Sequence, residues 1–129
     1  MKQAQYKSEI GQLSVHLDYA LRLHKWELDN FNQFYERTLS QRVMLALIIA
    51  NLTKVGNLRL TEIFVDSGGS EVGIRKCLKR FVIMGLIEIV RNPKDRRTKF
   101  ITTTKQFQVI IKAYALASNK LWQETLAKY

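Results

Sequence analysis

The sequence predicts a mainly α fold carrying one small β-hairpin, and three observations predict it. Apolar residues recur at three- and four-residue steps through long stretches near both ends. A capped basic segment starting at Ser70 stops at Gly85. Directly after it, Leu86 to Val90 and Lys99 to Thr103 are rich in β-branched and aromatic residues and flank the turn residues Asn92-Pro93-Lys94-Asp95.

Composition bounds what such a fold can be. A chain of 129 residues with 47% hydrophobic content holds one compact core, so one domain is the expectation. Lys and Arg outnumber Asp and Glu by 21 to 11, a net charge of +10 that favours a polyanionic partner, nucleic acid before membrane. Cys77 is the single cysteine, which excludes an intrachain disulfide framework and a cysteine-cluster zinc site. The longest apolar run, Val43 to Ala50, is far too short to span a bilayer. The polar start Met1 to Lys7 has no apolar signal-peptide core, so a cytoplasmic protein with no membrane partner is expected. No nucleophile elbow, phosphate-binding glycine loop or metal-ligand spacing occurs, so neither an enzyme, a cofactor nor a metal is expected.

Met1 to Gln12 is polar and mixed and reads as an irregular lead-in. From Leu13 onward Leu17, Ala20, Leu21, His24, Leu28, Phe31 and Tyr35 make one apolar stripe on a long helix, spanning 13–38. Val15, Tyr19, Leu23 and Trp26 widen that stripe beyond one core contact, which points to packing against a second copy of the chain. Ser40 is read as the cap of a buried second helix, Gln41 to Thr53, carrying Val43, Leu45, Leu47, Ile48 and Leu52. Gly56-Asn57 breaks it, and Leu58 to Val65 supplies a short third helix capped near Thr61.

Asp66 to Gly69 reads as a turn, after which Ser70 caps a fourth helix with Glu71 in its first turn, where a carboxylate suits the helix dipole. Its core face is Ile74, Cys77, Leu78, Phe81 and Val82, while Arg75, Lys76, Lys79 and Arg80 project elsewhere. After the hairpin, Thr102 to Thr104 cap a last helix from about Lys105 to Lys128, with Phe107, Ile110, Ile111, Tyr114, Ala117, Leu121, Trp122 and Leu126 at helical spacing.

A short helix, a glycine turn, a basic helix and a basic hairpin in that order make a winged helix-turn-helix. The residues Leu78-x-x-Phe81-x-x-x-Gly85-Leu86-Ile87 and Asn92-Pro93-x-Asp95-x-Arg97 resemble the MarR-type winged-helix transcription regulators, from about Leu39 to the end of the chain. Leu60 to Val65 is bulky where that family has an Ala-rich helix, and Thr102-Thr103-Thr104-Lys105 stands where it has Leu-Thr and a glycine. The resemblance implies a dimer built from helices 13–38 and 104–129 around a DNA-binding domain 39–103. It also implies that Asp95 braces the wing, that Arg97 enters the minor groove and that Arg96 lies on a phosphate or beside it.

The residues themselves carry the rest. An Asp two positions from an Arg at a tight tip can orient the guanidinium. Ser70, Glu71, Gly73, Arg75, Lys76 and Lys79 are expected toward double-stranded DNA on the recognition helix, and Arg91, Lys94, Asp95, Arg96 and Arg97 at the wing. His16 and His24, with Asp18 and Glu27 nearby, suggest packing before a metal. Cys77 reads as a small buried hydrophobe. Tyr19, Trp26, Tyr114 and Trp122 are candidates for holding a small aromatic effector. Besides a homodimeric transcription regulator, the pattern admits a replication or mobile-element DNA-binding factor and a winged protein-interaction module.

Overall fold

The computed structural model describes residues 2–54 and 56–129, with side chains described from Ser8 onward. Among the described residues the order is α1 (Lys2–Phe31), a 3-10 turn (Asn32–Phe34), α2 (Thr38–Thr53), β1 (Leu58–Arg59), α3 (Leu60–Ser67), α4 (Glu71–Ile83), β2 (Ile87–Arg91), β3 (Lys99–Thr103) and α5 (Lys105–Lys128). The chain forms two compact units, one of residues 33–111 and one of residues 1–32 with 112–129.

The 33–111 unit is built on α2, whose Val43, Met44, Leu47 and Ile48 are buried with Ile63 of α3 and Ile74, Leu78 and Phe81 of α4. Leu86, Ile87, Ile101 and Phe107 complete this core from the hairpin and the start of α5. The sheet is antiparallel with order β1-β3-β2. Leu58 and Arg59 face Ile101 and Phe100, while Ile87 to Arg91 pair with Thr103 to Lys99.

Several expectations are corrected here. Leu58 and Arg59 were expected to open the third helix; they are a strand instead, because the free edge of β3 pairs their backbone before the helix begins at Leu60. The helix then runs through Ser67 to Gly68, whose φ of 66° is the left-handed cap that a glycine adopts without strain. Ser40 is not the cap of α2. It lies in the first turn, fully buried, and its Oγ accepts the Arg37 N–H at 3.3 Å from inside the helix. Leu52 and Val82, expected in the core, are 66% and 38% exposed.

The end of α4 follows its expected chemistry. Gly85 has φ 78°, its N–H bonds to Val82 O at 3.0 Å, and the Leu86 N–H reaches Phe81 O at 3.0 Å. This is the Schellman arrangement, with Leu86 and Phe81 both buried beside it. Thr104 fastens the same corner to α5: its hydroxyl donates to Gly85 O at 2.7 Å and accepts the Phe107 N–H at 3.3 Å.

In the second unit α1 begins at Lys2 rather than after an irregular lead-in and ends at Phe31, short of the expected 38; Met1 lies outside the described residues. Its inward face joins Tyr19 and Trp26, read as widening the stripe, with Phe31 of the main stripe. Tyr19 packs edge-on against Trp122 at 5.1 Å, Trp26 against Tyr114 at 5.7 Å, and Phe31 stacks on Tyr114 at 5.9 Å. The Tyr114 hydroxyl donates to the buried Glu27 carboxylate at 2.9 Å, and the Tyr19 and Ser118 hydroxyls share a hydrogen bond. The leucines of the main stripe are uncovered: Leu13, Leu17, Leu21 and Leu28, with Ile10 before them, are between 45% and 59% exposed, whereas Phe31 of the same stripe is buried.

Asp18 closes the end of this unit, accepting from Arg22 Nε at 2.8 Å, Lys128 Nζ at 3.1 Å and the Tyr129 hydroxyl at 3.0 Å. These donors, Arg22 first, hold its carboxyl at a pKa of about 2, below the ordinary value. A carboxyl whose pKa is lowered by folding stabilises the fold above its unfolded pKa and loses that contribution as pH falls through the folded one. The melting-temperature gap between the wild type and Asp18→Asn is therefore expected to be widest above about pH 5 and to close toward about pH 2. A gap that widened with acid would contradict the assignment.

Candidate nucleic-acid interface

The candidate residues gather on α4, and the entry of that helix is set by local chemistry. Ser70 caps the helix, its Oγ accepting the Gly73 N–H at 3.1 Å. The preceding Gly68-Gly69 pair, unusual in sequence, has two separate reasons. Gly68 takes the left-handed conformation, and a Cβ on Gly69 would stand 2.5 Å from Leu39 Cδ1. Gly73 faces the same leucine, whose Cδ2 would lie 2.9 Å from its Cβ. Leu39 thus seats the helix-turn-helix corner against the start of α2, and Gly73, expected toward DNA, is half-buried with its Cβ direction toward Leu39. Arg42 closes the corner by donating from Nε to Ser67 O at 3.1 Å.

With Ile74, Cys77, Leu78 and Phe81 buried, α4 turns Glu71, Val72, Arg75, Lys76 and Lys79 outward, all exposed. Two of these are already engaged. Glu71 Oε1 accepts from Arg75 Nε at 3.1 Å and Nη2 at 2.8 Å, and the Arg75 guanidinium lies 5.1 Å above the Phe64 ring. Being exposed, this ion pair orders the arginine more than it stabilises the fold. Lys76 and Lys79 carry the rest of the positive charge of this face. Val72, 65% exposed in the first turn, was missed by sequence reasoning. An exposed β-branched residue beside a helix cap was the available signal.

At the wing, backbone bonds Asn92 N–H to Thr98 O at 2.9 Å and Thr98 N–H to Asp95 O at 3.0 Å close the tip. Asn92 Oδ1 accepts the Lys94 N–H at 2.9 Å. Asp95 accepts the Arg97 N–H at 3.0 Å through Oδ1 and the Thr98 hydroxyl at 3.0 Å through Oδ2. Its carboxylate therefore organises the tip by bonding the Arg97 main chain and the Thr98 hydroxyl. Arg91, Lys94, Arg96 and Arg97 are all exposed.

Between α4 and the wing lie two adjoining grooves. One of about 340 Å³ is lined by Leu60, Arg75, Leu78, Lys79, Val82, Ile89 and Lys99. The other, of about 190 Å³, is lined by Arg59, Leu60, Thr61, Phe64, Arg75, Arg97, Thr98 and Lys99. Arg59 and Lys99 were not among the expected site residues, since β1, which brings Arg59 there, was read as helix.

Other candidates lie elsewhere. Cys77 is buried 3.5 Å from the Ser40 hydroxyl, where it packs as a hydrophobe. His16 stacks on Trp122 at 6.3 Å. Among the described residues no cluster of three or more His, Cys, Asp or Glu could hold a metal, and no helix is long and apolar enough to cross a membrane.

Neither a family model nor a curated protein matches the sequence. Solved structures do match along its whole length. YusO from Bacillus subtilis superposes with a TM-score of 0.67 at 15% identity, covering 100% of this chain and 85% of that one. MarR gives 0.60 at 19% identity, over 92% of this chain and 80% of its own. This is the MarR-type winged-helix fold. BpsR from Bordetella bronchiseptica, whose DNA binding is regulated by 6-hydroxynicotinic acid, gives 0.52 at 16% identity over 91% and 83% of the two chains. In the MarR-type fold α3 and α4 are the helix-turn-helix, β2 and β3 the wing, and β1 the third strand that completes its sheet.

Proposed function

We propose that the chain is a homodimeric, sequence-specific regulator that binds double-stranded DNA, with α4 in the major groove and the basic wing in the minor groove. One observation carries it: an exposed row of Val72, Arg75, Lys76 and Lys79 on a capped helix adjoins a wing tip whose backbone is tied down while Arg91, Lys94, Arg96 and Arg97 stay exposed. Phosphates take the wing cations and Lys79, which position the protein without reading sequence. Ser70 and Glu71 stand at the helix start nearest the base edges, while Gly73 lets that turn sit against Leu39. Lys76 is placed to reach guanine, and Val72 offers an apolar contact for a thymine methyl. The uncovered leucines of α1, with α5, are the surface for the second copy, so that two winged units address two half-sites. In this reading the segments expected from sequence, 13–38 and 104–129, serve dimerisation and 39–103 serves DNA, although the compact units divide at 32/33 and 111/112.

YusO, MarR and BpsR support this by fold, and BpsR by its regulated DNA binding. A small aromatic effector at Tyr19, Trp26, Tyr114 and Trp122 would have to displace the ring contacts those residues make within their own unit.

Salt-titrated binding to mixed genomic duplex, followed by site selection, tests the reading. The expected result is a steep salt dependence on random duplex, falling as log affinity by about 0.9 per phosphate contacted, and enrichment of a near-palindrome. A shallow slope with no enriched site would favour a protein-interaction module. Enriched sites confined to one origin-like cluster would favour a replication factor.

A further inference from the structure

We propose that Arg59, Arg75, Arg97 and Lys99 form a cradle for one backbone phosphate of the strand running between the recognition helix and the wing; this rests on the DNA-binding reading above. The four cations come from three separate elements, β1, α4 and the wing with its strand β3, yet all line the same groove of about 190 Å³. The sheet order accounts for the convergence. Arg59 pairs with Phe100, the residue after Lys99 on β3, and Lys99 pairs in turn with Arg91 on β2, so the backbone ladder brings β1 and the base of the wing together at the groove.

Among the described residues lining this groove none is acidic. Glu71 ties Arg75 from outside it at 2.8 Å, and Glu62 on α3 bonds Lys54 first, at 2.7 Å, with Arg59 as a weaker electrostatic neighbour. Four like charges around one concavity raise its potential, and an oxyanion is the occupant that relieves their repulsion. The remaining lining selects a sugar-phosphate strand over a bare anion. Leu60 and Phe64 supply an apolar wall suited to a deoxyribose, and the groove continues past Leu60, Arg75 and Lys99 into its 340 Å³ neighbour, as a polymer requires. Phe64 and Glu71 also hold the Arg75 guanidinium at this wall before DNA arrives, so little side-chain freedom is lost on contact.

The test is duplex binding by the full chain carrying Arg59→Gln and Lys99→Gln, which keep long side chains on strands joined through their backbone, against Lys25→Gln on α1 as the control. Melting temperature should match the wild type. On random and selected duplex alike, the dissociation constant should rise about tenfold near physiological salt, and the log–log salt slope should become shallower by about 0.9 for each phosphate given up. A slope equal to that of the wild type overturns the cradle and leaves the DNA reading standing. Loss confined to the selected sequence also overturns it, assigning these residues to base readout. Stabilisation of the wild type alone by inorganic phosphate, without a change in duplex slope, overturns it in favour of a free anion. A wild type that binds no duplex removes both readings.

Discussion

Replacing Arg96 and Arg97 together by glutamate is expected to lower duplex affinity by about 10²–10³-fold at 0.15 M salt while leaving the melting temperature unchanged. The size follows from counterion release: each neutralised phosphate contributes about 0.9 to the salt slope, and reversing two charges removes two contacts and sets two repulsions against the strand. The unchanged stability follows from how the tip is built. Its conformation rests on backbone bonds from Asn92 and Thr98 and on the Asp95 carboxylate, which binds the Arg97 N–H and the Thr98 hydroxyl, so the two guanidinium groups are spare for the fold. Asp95→Ala separates the two roles. It keeps every cation yet frees an N–H and a hydroxyl, so it should cost binding by loosening the tip, with a salt slope close to that of the wild type. Fluorescence anisotropy on a labelled duplex over a salt series distinguishes them. Unchanged affinity in the double glutamate variant would remove the wing from the interface.

The parts of the molecule legible in the sequence are those governed by short-range rules. Ser70 and Gly85 delimit α4 through bonds that close within three to five residues, and the Asn92 to Thr98 tip closes within seven. Helical spacing likewise gave the length of α5, whose limits stand as expected. What was not legible depends on distant partners. Strand β1 has two residues and no pattern of its own; it exists because β3, some forty residues later, offers an edge, and with it came the position of Arg59. The Gly68-Gly69 pair looked anomalous because the reason for Gly69 is Leu39, in the first turn of α2 and far earlier in the chain. Val72 carries no polar group to mark it in the sequence, and only the burial of Ile74, Cys77, Leu78 and Phe81 shows that it points outward.

The faces of α1 show a subtler limit, and it sets the second large prediction. An apolar stripe tells that a surface is to be covered and not by which chain. The residues that α5 covers are Tyr19, Trp26 and their neighbours, whereas Leu13, Leu17, Leu21 and Leu28 remain about half exposed, at 46% to 59%. A contiguous row of such side chains along one helix is more apolar surface than a lone chain ordinarily leaves in water. Burying the exposed half of each leucine against a second copy contributes on the order of 1 kcal/mol, about half of what a fully exposed side chain would gain, and the twofold symmetry of a homodimer counts every one twice. Leu17→Glu with Leu21→Glu is therefore expected to turn a dimer at micromolar concentration into a monomer, because four carboxylates would otherwise be buried without partners. Light scattering reads the mass directly, and circular dichroism should show the helices intact, since both positions are solvent-facing within the single chain. The same variant should lose the gain from paired half-sites while keeping the salt slope of one winged unit, because α4 and the wing lie in the other compact unit. A variant that stays dimeric would place the partner surface elsewhere, and a wild type that is monomeric at micromolar concentration would remove the dimer itself.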